Sequence, residues 1–165
     1  MLIQDLLLQS ADGRPDADAL GFRDQRRTYA QLADDTARLG AGLLELGLAP
    51  GDRVAIWLPK QLETVQAIFA TARAGGVFVP VNPVLKPAQV SYQLTHSDAR
   101  VLVTSRQRFQ SLGDLAGECP ALEHIVLIDG DGTAGTWDWE DLAGSDPQEA
   151  PRAIDQDMAA ILYTS

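Results

Sequence analysis

The sequence predicts an α/β fold, a mainly parallel sheet with helices on both faces. Two observations predict it. Short continuous apolar runs at residues 54–58 (VAIWL), 77–81 (VFVPV) and 158–163 (MAAILY) are bounded by turn residues, as strands buried on both faces are. Between such runs lie amphipathic stretches of helical period, so strand and helix alternate. That alternation calls for crossover connections and a parallel sheet covered on both sides.

Taken in order, residues 1–13 (MLIQDLLLQSADG) space their apolar side chains as a short amphipathic helix. Residues 19–22 and 27–29 read as two short strands around a polar turn at Asp24 and Gln25. A helix follows over residues 29–46. Its Leu32, Thr36, Leu39, Leu43 and Leu46 step by four, three, four and three residues, the mark of one buried stripe. Gly47 is placed to end it, since glycine tolerates the left-handed cap. The strand at 54–58 follows the turn Ala49-Pro50-Gly51-Asp52 and is closed by Pro59. Residues 61–74 form the next helix, with Leu62, Val65, Ile68, Phe69 and Ala72 inward and Gly75-Gly76 at its end. After the strand at 77–81, a helix opens with Pro87 in its first turn and runs to His96. A strand at 101–104, a weaker helix at 106–115 and a strand at 124–129 continue the series. The run 158–163 is the last strand, followed by Thr164 and Ser165.

Charge excludes some functions. The formal net charge is −10, and residues 113–165 hold twelve acids against the single base Arg152. Such a chain repels a phosphate backbone, and no Lys/Arg cluster offsets this, so nucleic-acid binding is not expected. The acidic part reads as a solvated, loop-rich face. Cys119 is the sole cysteine, so no internal disulfide forms. The N-terminus lacks a basic start and has Asp5 within its apolar stretch. No run approaches the ~18 apolar residues of a membrane span. The expected location is the cytoplasm.

Several residues invite functional readings that simpler chemistry covers. Pro80 and Pro83 flank Asn82 beyond an apolar strand, which makes a rigid turn at a strand's carboxyl end. Residues 129–140 (DGDGTAGTWDWE) imitate a calcium loop, but Thr133 at the fifth position and Ala134 at the sixth depart from it. This stretch reads as a solvated connector capped by packing of Trp137 and Trp139. His96 and His124 have no metal-site spacing, and Cys119 beside Pro120 has no His or Asn neighbour to activate it. No catalytic residue and no metal ligand is expected within the chain.

Three segments together resemble the adenylate-forming superfamily, which includes acyl-CoA synthetases, luciferases and peptide-synthetase adenylation domains. The first is Thr28-Tyr29-Ala30-Gln31-Leu32 followed by Leu48-Ala49-Pro50-Gly51-Asp52-Arg53-Val54-Ala55-Ile56. The second is Arg73-Ala74-Gly75-Gly76-Val77-Phe78-Val79-Pro80-Val81-Asn82-Pro83. The third is Ala160-Ile161-Leu162-Tyr163-Thr164-Ser165, which matches the start of that family's phosphate loop. Within the superfamily, Leu58-Pro59-Lys60, Asn82-Pro83 and Leu85-Lys86-Pro87 most resemble acyl-CoA ligases linked to exosortase gene clusters.

The resemblance implies an incomplete N-terminal lobe of an adenylate-forming enzyme. Residues 1–165 would be the first part of an AMP-binding domain, cut at the start of the phosphate loop. Family members bind ATP, Mg²⁺ and a carboxylic acid, form an acyl-adenylate with release of pyrophosphate, and pass the acyl group to coenzyme A. Thr164 and Ser165 would be the first two phosphate-loop donors, the only residues implied to contact ATP. The remaining loop residues, the Mg²⁺-holding acid and the C-terminal catalytic lysine would lie past Ser165. The chain alone is then expected to be inactive, with the C-terminal remainder of the enzyme as its partner. Two rivals stand beside this reading. One is an adenylation domain that loads an amino acid or acyl chain onto a carrier protein. The other is a stand-alone, non-catalytic α/β binding module, which the lack of G-x-G-x-x-G and G-x-x-x-x-G-K-[ST] disfavours.

Overall fold

The computed structural model describes residues 1–164. It is a three-layer α/β structure around a five-stranded sheet of order β4-β3-β5-β6-β7, every pair parallel. In chain order the elements are α1 (Ile3–Gly13), β1 (Asp18–Phe22), β2 (Gln25–Thr28), α2 (Tyr29–Glu45), β3 (Arg53–Trp57) and α3 (Leu62–Arg73). There follow β4 (Val77–Pro80), α4 (Pro87–His96), β5 (Ala99–Thr104), α5 (Arg106–Leu112) and a 3₁₀ turn (Gly113–Glu118). β6 (His124–Leu127), β7 (Trp137–Asp138) and α6 (Trp139–Ala143) complete the set.

The sheet strands alternate their side chains between two cores, as the two-residue period of a strand requires. Val54, Ile56, Val101, Val103 and Val126 face a layer that contains Leu39 and Leu43 of α2, Ala67 and Ala70 of α3, and Leu142 of α6. Ala55, Trp57, Leu102, Ile125 and Leu127 face the other, with Val90 and Leu94 of α4 and Leu112 of α5. Each fully buried Val, Leu or Ile contributes roughly 1.5–3 kcal/mol, so the two layers hold the sheet from both sides.

The helix starts have local causes. Thr28 Oγ1 accepts from the Gln31 N–H at 3.2 Å while Gln31 Oε1 accepts from the Thr28 N–H at 2.9 Å, a reciprocal cap on α2. Ser105 Oγ accepts from the Arg108 N–H at 3.4 Å and starts α5. Gly47 and Gly75 follow α2 and α3 with φ of 83° and 76°, in the left-handed conformation expected of both.

The structure departs from sequence expectation in four places. The first hairpin turns at Arg23 and Asp24, and Gln25 already pairs with Phe22. In α3 the buried residues are Leu62, Gln66, Ala67, Ala70, Thr71 and Ala72, whereas Val65, Ile68 and Phe69 are only half-buried. Small residues let α3 approach α2: a Cβ added at Gly40 would stand 3.2 Å from the Ala70 carbonyl oxygen. The connector at 129–140 is not wholly solvated, because β7 adds to the sheet beside β6; Trp139 packs in the core as expected, but Trp137 is exposed. Finally, residues 158–163 do not form a full strand. Only Ala160 bridges Phe78, and Met158 and Leu162 are exposed because no further layer covers them among the described residues.

Candidate functional site

The strand order makes one reversal. The chain steps outward from β3 to β4, then crosses back over β3 to place β5 on its other side. In open parallel sheets, ligands bind outside the carboxyl ends of the strands at such a reversal. Here that position is bounded by Trp57 at the end of β3 and Thr104 at the end of β5, and Thr104 Oγ1 donates to the Trp57 carbonyl at 3.0 Å.

A crevice of about 290 Å³ opens beside them, lined by Trp57, Leu85, Pro87, Gln107, Arg108 and Ser111. Arg108 is its cation. The guanidinium carbon lies 4.9 Å from the Trp57 ring centroid, and Nη1 donates to the Pro83 carbonyl at 2.8 Å. Burial lowers the Arg108 pKa from its ordinary value, yet a guanidinium remains protonated in proteins. Trp57 Nε1 is buried without a hydrogen-bond partner among the described residues. The turn that frames this edge is built by Asn82, whose Oδ1 accepts from the Val84 N–H at 3.1 Å and whose carbonyl accepts from the Leu85 N–H at 3.1 Å. This is the rigid turn read from Pro80, Asn82 and Pro83.

The outer flank of β4 receives the end of the described chain. Phe78 N–H donates to the Ala159 carbonyl at 3.0 Å, and Ile161 N–H donates to the Phe78 carbonyl at 3.1 Å. This bridge is parallel, so the segment continues in the direction of the sheet's carboxyl ends. Ile161 and Tyr163 pack on the α4 layer, while Ala160 packs on the opposite one. Thr164 follows and is exposed. Ser165, the second expected phosphate-loop donor, lies outside the described residues.

Tyr163 is held from α4. Its hydroxyl is 2.8 Å from His96 Nδ1 and 3.5 Å from the Gln93 carbonyl. Burial raises the Tyr163 pKa above its ordinary value. The His96 ring stacks on Tyr92 at 5.6 Å and meets Tyr163 edge-on at 5.7 Å.

Sequence reasoning found neither Arg108 over Trp57 nor the contact between His96 and Tyr163. The partners are far apart in the chain, and only the sheet order reveals that β3 and β5 bound one crevice. A larger cavity, about 550 Å³, lies at the amino ends of the strands beside Arg53, Val77 and Asp98. Arg53 is already engaged there, donating to the Ser97 carbonyl at 2.6 Å. Among the described residues no group of three or more His, Cys, Asp or Glu side chains could hold a metal ion. No helix among them is long and apolar enough to cross a membrane.

A parallel sheet covered on both faces, with a crevice at its reversal and a hydroxyl-bearing segment entering beside β4, belongs to the α/β folds that bind ligands at strand carboxyl ends. More narrowly, the chain belongs to the AMP-binding enzyme family, which residues 7–165 match. It is 29% identical over 163 residues to tyrocidine synthase 2 of Brevibacillus parabrevis, covering 99% of this chain and 4% of that protein. It is 34% identical over 160 residues to the 3-[(3aS,4S,7aS)-7a-methyl-1,5-dioxo-octahydro-1H-inden-4-yl]propanoyl:CoA ligase of Mycobacterium tuberculosis, covering 92% of this chain and 31% of that protein. The crystal structure of the anthranilate CoA ligase AuaEII in complex with anthranoyl-AMP superposes with a TM-score of 0.93 at 27% identity, covering 100% of this chain and 32% of that one. The chain therefore spans a third or less of the length of these relatives.

Proposed function

We propose that this chain is the N-terminal part of an AMP-forming acyl-CoA ligase. The whole enzyme activates a carboxylic acid with ATP to an acyl-adenylate, releases pyrophosphate, and transfers the acyl group to coenzyme A. The observation that supports this reading is the segment from Ala160 to Thr164, which enters beside β4 in the parallel direction and ends on a hydroxyl residue. Thr164, with Ser165 after it, would begin a phosphate loop that continues past residue 165. Attack of one anion on another is electrostatically hard, so hydroxyl and backbone N–H donors at this point would stabilise the charge that develops on the phosphates.

On this reading the chain alone is inactive. It supplies the scaffold and one edge of the ATP site, and Mg²⁺ would be held by residues outside it. The motifs Leu58-Pro59-Lys60, Asn82-Pro83 and Leu85-Lys86-Pro87 support placing the enzyme with the exosortase-associated acyl-CoA ligases, and the cytoplasm is its proposed location.

The similarity to tyrocidine synthase 2 favours a second reading, in which the acyl acceptor is a carrier protein. One experiment separates the two. The full-length protein is incubated with ATP, a panel of carboxylic acids and either coenzyme A or a phosphopantetheinylated carrier protein, and the products are read by mass spectrometry. AMP together with an acyl-CoA is the expected result. AMP with acyl-carrier product alone selects the second reading, and no AMP with any acid contradicts both.

A further inference from the structure

The first residue of the proposed phosphate loop follows a tyrosine that is tied to a distant helix. Tyr163 reaches across to the last turn of α4, where its hydroxyl meets His96 Nδ1 at 2.8 Å and the Gln93 carbonyl at 3.5 Å. The His96 ring meets two aromatic rings, stacked on Tyr92 with an interplanar angle of 22° and edge-on to Tyr163 at 69°. His96 and Tyr92 are both exposed, so this aromatic group lies at the surface, with His96 Nδ1 turned to the Tyr163 hydroxyl.

The backbone around Tyr163 needs this support. Residues 158–163 have a single bridge to the sheet, at Ala160, and Leu162 is 70% exposed. From Ile161 N–H onward, no backbone hydrogen bond to β4 continues the ladder among the described residues. Tyr163 is thus the last described side chain that fastens the segment before Thr164.

We infer that His96 is a positioning residue for nucleotide binding: through the Tyr163 hydroxyl it fixes the direction in which Thr164 leaves the sheet. His96 touches neither phosphate nor acid. It acts by restricting the junction, so that the hydroxyl and N–H of Thr164 meet the ATP phosphates without first being ordered. This inference rests on the reading of Thr164 as the start of a phosphate loop.

The test uses the full-length protein with His96→Phe, His96→Asn, Tyr163→Phe and the double variant His96→Phe/Tyr163→Phe. Pyrophosphate exchange gives KM for ATP and for the acid separately, and hydrogen exchange followed by mass spectrometry reads the peptide covering 158–164. Loss of one hydrogen bond predicts a KM for ATP raised roughly three- to tenfold in each phenylalanine variant, with KM for the acid unchanged. The double variant should be no worse than either single one, because both remove the same contact. His96→Asn, whose amide can still meet the phenol, should recover part of the loss. An unchanged KM for ATP in His96→Phe, a parallel rise in both KM values, or multiplied effects in the double variant overturns the inference. If the unmodified protein shows no acid-dependent exchange, the ligase reading fails instead. Hydrogen exchange then decides the anchor by itself: faster exchange over 158–164 in His96→Phe supports it, and an unchanged rate overturns it.

Discussion

Ala160 stands beside Phe78 in a parallel bridge, closed by hydrogen bonds of 3.0 and 3.1 Å on either side of the alanine. Phe78 pairs on its other side with Val54 of β3. The bridge therefore places Ala160 on the outer flank of β4. Ile161→Pro removes the N–H that makes the 3.1 Å bond. The expected outcome is a loss of roughly 1–3 kcal/mol and faster proteolysis after residue 158, read by urea titration and limited digestion. Leu162→Ser, on the exposed face, should change neither.

Gly42 marks the closest approach of α2 to α6. A Cβ there would lie 2.8 Å from both Cα and Cβ of Leu142. Because one of those atoms is backbone, a helix must shift to make room. Gly42→Ala is expected to lose about 1–3 kcal/mol from this overpacking, more than the ~1 kcal/mol that alanine gains over glycine in helix propensity. Gly13, the last residue of α1, has no atom within 4 Å of the equivalent position. Gly13→Ala should be neutral or slightly stabilising. Paired chemical denaturation of the two variants checks the contrast.

Asp52 links three segments of the amino-end loops. Its Oδ2 accepts from the Ala49 N–H at 2.8 Å and from Arg100 Nη1 at 2.6 Å, and Arg100 also donates to the Gly47 carbonyl at 2.7 Å. Burial opposes ionisation of Asp52, but the Ala49 and Arg100 hydrogen bonds outweigh it and hold the carboxyl below its ordinary value. A depressed carboxyl pKa contributes stability that is fully present above the unfolded value of about 4. That stability is lost as pH falls through the lower, folded value. Asp52→Asn is thus expected to destabilise by roughly 1–3 kcal/mol at pH 7. The difference from the parent should narrow at pH 3 and below, as urea midpoints at the two pH values would show.

Most of the fold was legible because most of it is periodic. Of the α2 stripe, Leu32, Thr36, Leu39 and Leu43 are buried as read while Leu46 caps the helix and is only partly buried, and α4 spans Pro87–His96 with its proline at the first position. Legibility failed where packing overrode hydropathy. In α3 the polar Gln66 and Thr71 are buried because each has a partner, Asp35 Oδ2 at 2.7 Å and the Ala67 carbonyl at 2.7 Å, whereas Phe69 stays half-exposed. β7 escaped detection because two residues carry no period. At the candidate site, the Asn82 turn could be read locally. Arg108 over Trp57 and His96 beside Tyr163 could not, since each depends on which strands and helices become neighbours.

The segment ending at Thr164 is proposed to open the phosphate loop of a larger acid-activating enzyme. That role is tested most directly by exchange of labelled pyrophosphate into ATP, measured with the full-length protein, its Thr164→Val variant and residues 1–165 alone. The expected result is acid-dependent exchange by the full-length protein, a raised KM for ATP in Thr164→Val, and no exchange by residues 1–165. Exchange by residues 1–165, or a Thr164→Val enzyme that binds ATP as the parent does, would contradict it.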